Sequence, residues 1–277
     1  MNTMIKWTRI VLGGLIGLVL LAGVALYPGG KEKLTRSYPN IPVEALNIPN
    51  SPEAVARGEH IASVWGCAKC HDESLGGMLL TSDPFLGTIP ASNLTSGKGG
   101  IAGSYTDVDW IRAIRHGVKP DGRVEIFMYD YYWTMSDLDL GDLIAYLKQI
   151  PPVDAEYSAL HIGPVLAIAP AVGLFTPAAE LIDHGAARPT DPAPGATIEY
   201  GRYLSVLCAE CHGTNLASKM GNWKQDDFVR ALHTGVLPNG KLIGSTMSSK
   251  AYRELSDIEL AALWLYFMEG KPEAGAK

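Results

Sequence analysis

The sequence predicts an all-α protein, an N-terminal membrane-spanning helix followed by two small helical domains of one design. Three observations carry this. Residues Ile10–Tyr27 form eighteen uncharged positions in a row. A Cys-x-x-Cys-His pentapeptide occurs twice, with similar surroundings each time. Few segments alternate with the period of a strand, whereas several carry helix-start residues ahead of an apolar periodic run.

The apolar run spans roughly 27 Å as a helix at 1.5 Å per residue, close to the hydrocarbon thickness of a bilayer. Trp7 and Tyr27 bracket it, and Lys6 and Arg9 precede it. An uncleaved anchor over residues 1–30 and a secretory signal peptide compete as readings. The run exceeds the usual signal core, and Gly23-Val24-Ala25 makes a poor cleavage site, which favours the anchor. Lys31, Lys33 and Arg36 follow the run, so basic residues flank both ends and charge alone leaves orientation open. The 277 residues carry a net charge of −6; residues 1–30 hold +2 of it, leaving −8 beyond them. No basic stripe suited to nucleic acid is visible.

After a linker at 31–56, the first domain is placed at 57–150. Ser51-Pro52 is an N-cap and first-turn pair opening a helix towards Gly66. Trp110–Arg115 reads as a second helix and Asp137–Lys148, capped by Ser136, as a third, which Pro151-Pro152 ends. The second domain, at 197–277, repeats this with helices over Asp227–His233 and Asp257–Met268. Gly58 matches Gly201, Asp109-Trp110 matches Asp227-Phe228, Gly117-Val118 matches Gly235-Val236, and Pro120-Asp121-Gly122 matches Pro238-Asn239-Gly240. The offset between domains falls from 141 at the cysteines to 118–120 later, so the first holds about 23 extra residues after His71, expected as a Gly- and Ser-rich loop. A connector at 151–196 carries eight prolines and an apolar run, Val165–Phe175, expected to pack across one domain or between both.

The two pentapeptides, Cys67-Ala68-Lys69-Cys70-His71 and Cys208-Ala209-Glu210-Cys211-His212, use all four cysteines. This is the pattern for covalent c-type haem attachment. Two thiols about one helical turn apart can each form a thioether with a vinyl group, and the adjacent histidine supplies a nitrogen to the iron. A thioredoxin motif needs no such histidine, and a zinc site from two Cys-x-x-Cys pairs is normally more compact than 141 residues. Cys67, Cys70, Cys208 and Cys211 are therefore the expected attachment points of two haem c groups, with His71 and His212 as proximal ligands.

This pattern resembles class I cytochrome c, present twice. It is similar to membrane-anchored dihaem cytochromes c of bacteria and to the cytochrome c subunits of periplasmic alcohol dehydrogenases. Beside the cysteine motifs, Pro84-Phe85-Leu86-Gly87-Thr88-Ile89, Asn93-Leu94-Thr95, Ser136-Asp137 and Ser256-Asp257 carry the resemblance. The resemblance implies a methionine as sixth iron ligand between the middle and last helices of each domain. Met128 lies eight residues before Ser136 and Met247 nine before Ser256, the only equivalent pair. Each has packing in the core as its competing reading, and related sequences usually show Met-Pro, absent here. Met135 and Met268 are expected in the core, and His116 is the alternative sixth ligand of the first iron. Arg112 and Arg230 read equally as partners of haem propionates and as solvated helix residues.

The function expected is single-electron relay between a membrane-associated donor and a periplasmic acceptor, alone or within a dehydrogenase or respiratory complex. No catalytic residue is assigned. The resemblance also implies a bacterial cytoplasmic membrane location with the haem domains in the periplasm. A dihaem peroxidase-like enzyme, needing one open iron, is the alternative.

Overall fold

A computed structural model describes residues 2–188, 190–213, 216–244, 247 and 250–270. It is mainly helical. Helix α1 (Asn2–Thr35) is followed by α2 (Pro52–Val64) and the short α3 (Ala68–His71). Strands β1 (Met78–Asp83) and β2 (Gly87–Ala91) precede α4 (Asp107–His116) and α5 (Asp137–Leu147). The connector contributes β3 (His161–Ile162), α6 (Pro164–Ile168) and α7 (Ala178–Leu181). Then come α8 (Ile198–Leu204), α9 (Val206–His212), α10 (Ala217–Met220), α11 (Gln225–Thr234), α12 (Lys250–Arg253) and α13 (Asp257–Glu269).

The sequence repeat is a structural repeat. In the first half α2 packs on α5, and in the second α8 packs on α13. Gly58 permits the first crossing, because a Cβ there would overlap the Asp142 carbonyl and press on Tyr146. Gly201 permits the second, against the Ala262 carbonyl and Tyr266. The middle helices α4 and α11 end on Gly117 and Gly235, both left-handed, at φ 62° and 72°, the backbone state that glycine adopts without penalty. Each then enters the same turned ribbon, with Val118 bridging Val124 and Val236 bridging Leu242.

The extra residues of the first half do not form an irregular loop. They fold as an antiparallel hairpin that β3 extends into a three-stranded sheet of order β1-β2-β3. The Asp83 carboxylate accepts hydrogen bonds from the Phe85 and Leu86 amides and closes the turn. The all-α expectation therefore holds in its main part and gains a small sheet. Helix α1 also runs further than expected, through Pro28 to Thr35, where Leu34 is buried beneath β2, α6 and α7. The connector's apolar run packs on α1, with Ala167 and Ala171 against Gly30, and also across the first half, where Leu166 shares a core with Ile89, Val118 and Val124 and the Phe175 ring lies 5.5 Å from Phe127.

The two halves share one core, which runs from Ile61, Trp65 and Leu143 to Leu204, Phe228 and Leu263. Tyr203 of the second half donates to Asp139 at 2.6 Å and accepts from the Ser136 amide. His60 Nε2 lies 3.0 Å from both Glu259 oxygens. That hydrogen bond holds the imidazole pKa above its usual value. Burial pushes the Glu259 carboxyl up, but the bonds from His60 and Ser256 outweigh it and leave the group below its usual value.

Two predictions follow from this packing. Gly58→Ala or Gly201→Ala, each forcing a backbone carbonyl aside, should cost about 2–3 kcal/mol of stability by thermal denaturation. The His60–Glu259 contact stabilises fully below the unfolded histidine pKa of about 6.5 and above the unfolded carboxyl value of about 4.5. Its contribution fades as pH rises through the raised folded pKa of His60. In His60→Gln, the fall in Tm between slightly acid and slightly alkaline pH should be shallower than in the parent.

Candidate haem sites

The first site begins where α2 ends. Cys67 stands at the start of α3, and the Cys67 carbonyl accepts the His71 amide at 3.0 Å, so both cysteines and the histidine share one tight turn. His71 Nδ1 lies 2.7 Å from the Ser92 carbonyl. The ring therefore carries its proton on Nδ1 and keeps Nε2 as the lone-pair nitrogen, the arrangement that orients a metal-binding imidazole. Burial lowers the His71 pKa, which favours that neutral form.

The Ser92 carbonyl is itself held by its neighbours. Asn93 and Thr95 are fully buried. The Asn93 side chain accepts from the Thr95 amide and hydroxyl and donates to the Val153 carbonyl at 2.7 Å. Leu94 donates its amide to Leu75. Asn93-Leu94-Thr95 thus ties the hairpin to the start of the connector and fixes the acceptor for His71.

His71, Cys67, Cys70 and Met128 all line one cavity of about 350 Å³, within the range of small-molecule and cofactor sites. Its walls are mostly apolar, with Ile89, Leu94, Ile114 and Leu143 among them. Trp110 also lines it, and its indole N–H is buried without a protein partner. A buried donor of this kind calls for an acceptor; a haem propionate is one. Burial pushes the Cys67 thiol up to about 12 and raises Cys70, so both are neutral thiols in this apolar slot. An apolar slot bearing two thiols, an oriented imidazole, a thioether and an unspent donor fits a covalently held haem.

In the second half, α9 carries Cys208, Cys211 and His212. His212 Nε2 and Met247 Sδ face each other at 3.5 Å, so an imidazole nitrogen and a thioether stand side by side. All four cysteines are free thiols. The two motifs are neighbours: Lys69, between Cys67 and Cys70, lies 4.5 Å above the Tyr252 ring and within electrostatic reach of Cys208 and Cys211.

Other sequence candidates go elsewhere. His116 Nδ1 pairs with His184 Nδ1 at 3.0 Å, outside the His71 cavity. Arg112 and Arg230 form i,i+3 pairs with Asp109 and Asp227. Met135 is fully buried as expected, whereas Met268, expected in the core, is 38% exposed because it lies near the end of α13. Met220 joins the core. Sequence reasoning missed the Ser92 carbonyl, Lys69, and the cavity residues Trp110, Lys119 and Glu125. For Ser92, the neighbouring Asn93-Leu94-Thr95 was the available signal. A backbone acceptor, and contacts between halves, leave no other mark.

Fold and sites together fit a haem-bearing cytochrome c of the kind that serves dehydrogenases. Curated relatives agree. No family model matches the chain. The fructose dehydrogenase cytochrome subunit of Gluconobacter japonicus is 26% identical, over 84% of this chain and 56% of its own length. The cytochrome c subunit of a quinone alcohol dehydrogenase from Gluconobacter oxydans is 24% identical, over 83% and 58%. A diheme c-type cytochrome of Cereibacter sphaeroides is 32% identical over half of this chain. The chain is thus a relative of the cytochrome c subunits of dehydrogenases, and spans a little over half the length of these two subunits.

Glu125 gives this site a pH dependence. It lines the cavity, and burial raises its carboxyl above the usual range, only partly opposed by Lys119 at 3.6 Å. A haem held in this cavity would feel the negative charge that deprotonation adds, which favours the ferric state. Its potential should then fall as pH rises through this raised pKa. A potentiometric titration at several pH values should show that slope in the parent and not in Glu125→Gln.

Proposed function

We propose that the chain is a dihaem c-type cytochrome, two class I domains at 57–150 and 197–277 behind a single membrane anchor, that relays single electrons in the periplasm. Cys67 and Cys70 would hold one haem and Cys208 and Cys211 the other. His71 with Met128, and His212 with Met247, would be the axial pairs. The convergence of His212 and Met247 at 3.5 Å carries this reading most directly, and the shared cavity of His71 and Met128 is its counterpart.

Bound haem supplies reversible one-electron exchange at iron. The protein's work is positional. The Ser92 carbonyl fixes the first imidazole, the cavity wall excludes water, and two methionines close the sites to small ligands. Lys69 against Tyr252 places the attachment motifs side by side, which suits transfer within one chain. The apolar stretch of α1 is long enough to cross a bilayer. An anchor there confines the relay to a surface and raises its effective concentration for a membrane-bound donor. By analogy with the relatives, that donor is a dehydrogenase, and this chain is its electron-transfer subunit and not the catalyst.

Spectroelectrochemical titration of the purified protein, with and without carbon monoxide, tests this. The expected result is two haems per chain, neither binding the gas. Met128→Ala and Met247→Ala should each lower the potential of one centre and open that iron alone to carbon monoxide. A parent protein with one gas-binding iron would remove one methionine from the ligand set and support the peroxidase-like alternative.

A further inference from the structure

The connector between the two halves presents an apolar surface that neither sequence pattern nor haem chemistry explains. From Ile162 to Ala179 it carries no charged residue. Val165, Val172 and Leu174 are 51%, 49% and 81% exposed. Phe85, at the tip of the β1–β2 hairpin, is 64% exposed and adjoins them, its carbonyl accepting the Val165 amide at 2.9 Å. Exposed contiguous apolar surface of this kind marks a contact.

The position of this surface identifies the contact. The connector packs along α1, with Ala167 and Ala171 at Gly30 and Ile168 Cδ1 at Gly23, 3.5 Å from where a Cβ would stand. Gly23 lies four residues inside the end of the apolar run at Tyr27, or about 6 Å along the helix axis. Interfacial segments bury their apolar side to about 5–10 Å. Lys33 of α1 binds Glu180 of α7 at 2.8 Å, and Leu34 is buried beside Leu166 and Ala179, so the connector is fixed to the anchor at that depth. Lys31 stands one turn beyond Tyr27, at headgroup level.

We infer that the connector, with Phe85, is a second membrane contact: an apolar wedge that enters the lipid interface beside α1. The occupant is lipid, because the surface is continuous with a helix that itself lies in lipid. The inference rests on reading α1 as an anchor. Two attachments side by side would set the tilt and rotation of the haem-bearing body.

The test uses the full-length haem-loaded protein in phosphatidylcholine–phosphatidylglycerol nanodiscs. Single cysteines at Val172, Leu174, Val19 and Leu242 carry an environment-sensitive fluorophore; the parent, its native thiols consumed by haem, should take up none. Leu242 is 79% exposed and serves as the aqueous match for Leu174. Quenching by lipid-borne nitroxide is compared with quenching by iodide. The inference expects Val172 and Leu174 to behave like Val19, with iodide quenching several-fold weaker than at Leu242. Iodide quenching equal to that at Leu242, with Val19 in lipid, would overturn the wedge and leave the anchor. An aqueous Val19 would overturn both. Shielding of Leu174 from both quenchers would indicate a protein contact and overturn the lipid assignment.

Discussion

The architecture depends on two places where helix backbones touch. At Gly58 and Gly201 the first helix of each half meets the last one with no side chain between them. The first helix of each half leads directly into the turn that carries the Cys-x-x-Cys-His motif. Burial of Leu140, Leu143 and Ile144 on one side, and of Leu260 and Leu263 on the other, supplies the apolar drive. The glycines decide the distance at which it acts. A larger residue would displace not only a helix but the cysteines and histidine that follow it.

From that turn outward, order passes through the backbone. His71 is oriented by a main-chain oxygen, and that oxygen is held by a buried Asn–Thr pair which reaches into the connector. The connector therefore has a role beyond joining two units. Its first residues clamp the first site, and its middle packs on the anchor. Site, sheet and anchor form one chain of contacts, with Leu34, Ile89 and Leu166 in a common secondary core.

Much of the arrangement was legible in the sequence, because the cysteine motif and the helix caps are local. Cys-x-x-Cys-His must be contiguous, so it announces itself. Helix starts were equally plain: Ser51, Ser136 and Ser256 all cap as expected. The methionines were picked by equivalence between repeats; Met247 lies 3.5 Å from His212, and Met128 lines the same cavity as His71. What stayed hidden depends on contacts distant in sequence. The hairpin at Met78–Ala91 is rich in turn residues and closes through an Asp83 side chain, so it read as loop. The partners of His60 and His116 lie 199 and 68 residues away. The connector's run was visibly apolar, but its target was not, since any apolar face would satisfy it.

The shared core has a consequence for how variants of this chain are interpreted. Trp65 packs between Tyr132 of its own half and Tyr203 of the other, and Tyr203 in turn bonds Asp139. Two halves joined in this way are not thermodynamically independent: one cannot lose its packing without exposing apolar surface on the other. Unfolding is then expected as a single cooperative event despite the internal duplication. If each half holds a haem as proposed, a substitution near one site would be felt through the aromatic seam at the other, and assigning a changed midpoint to the nearer centre would require a double-mutant cycle.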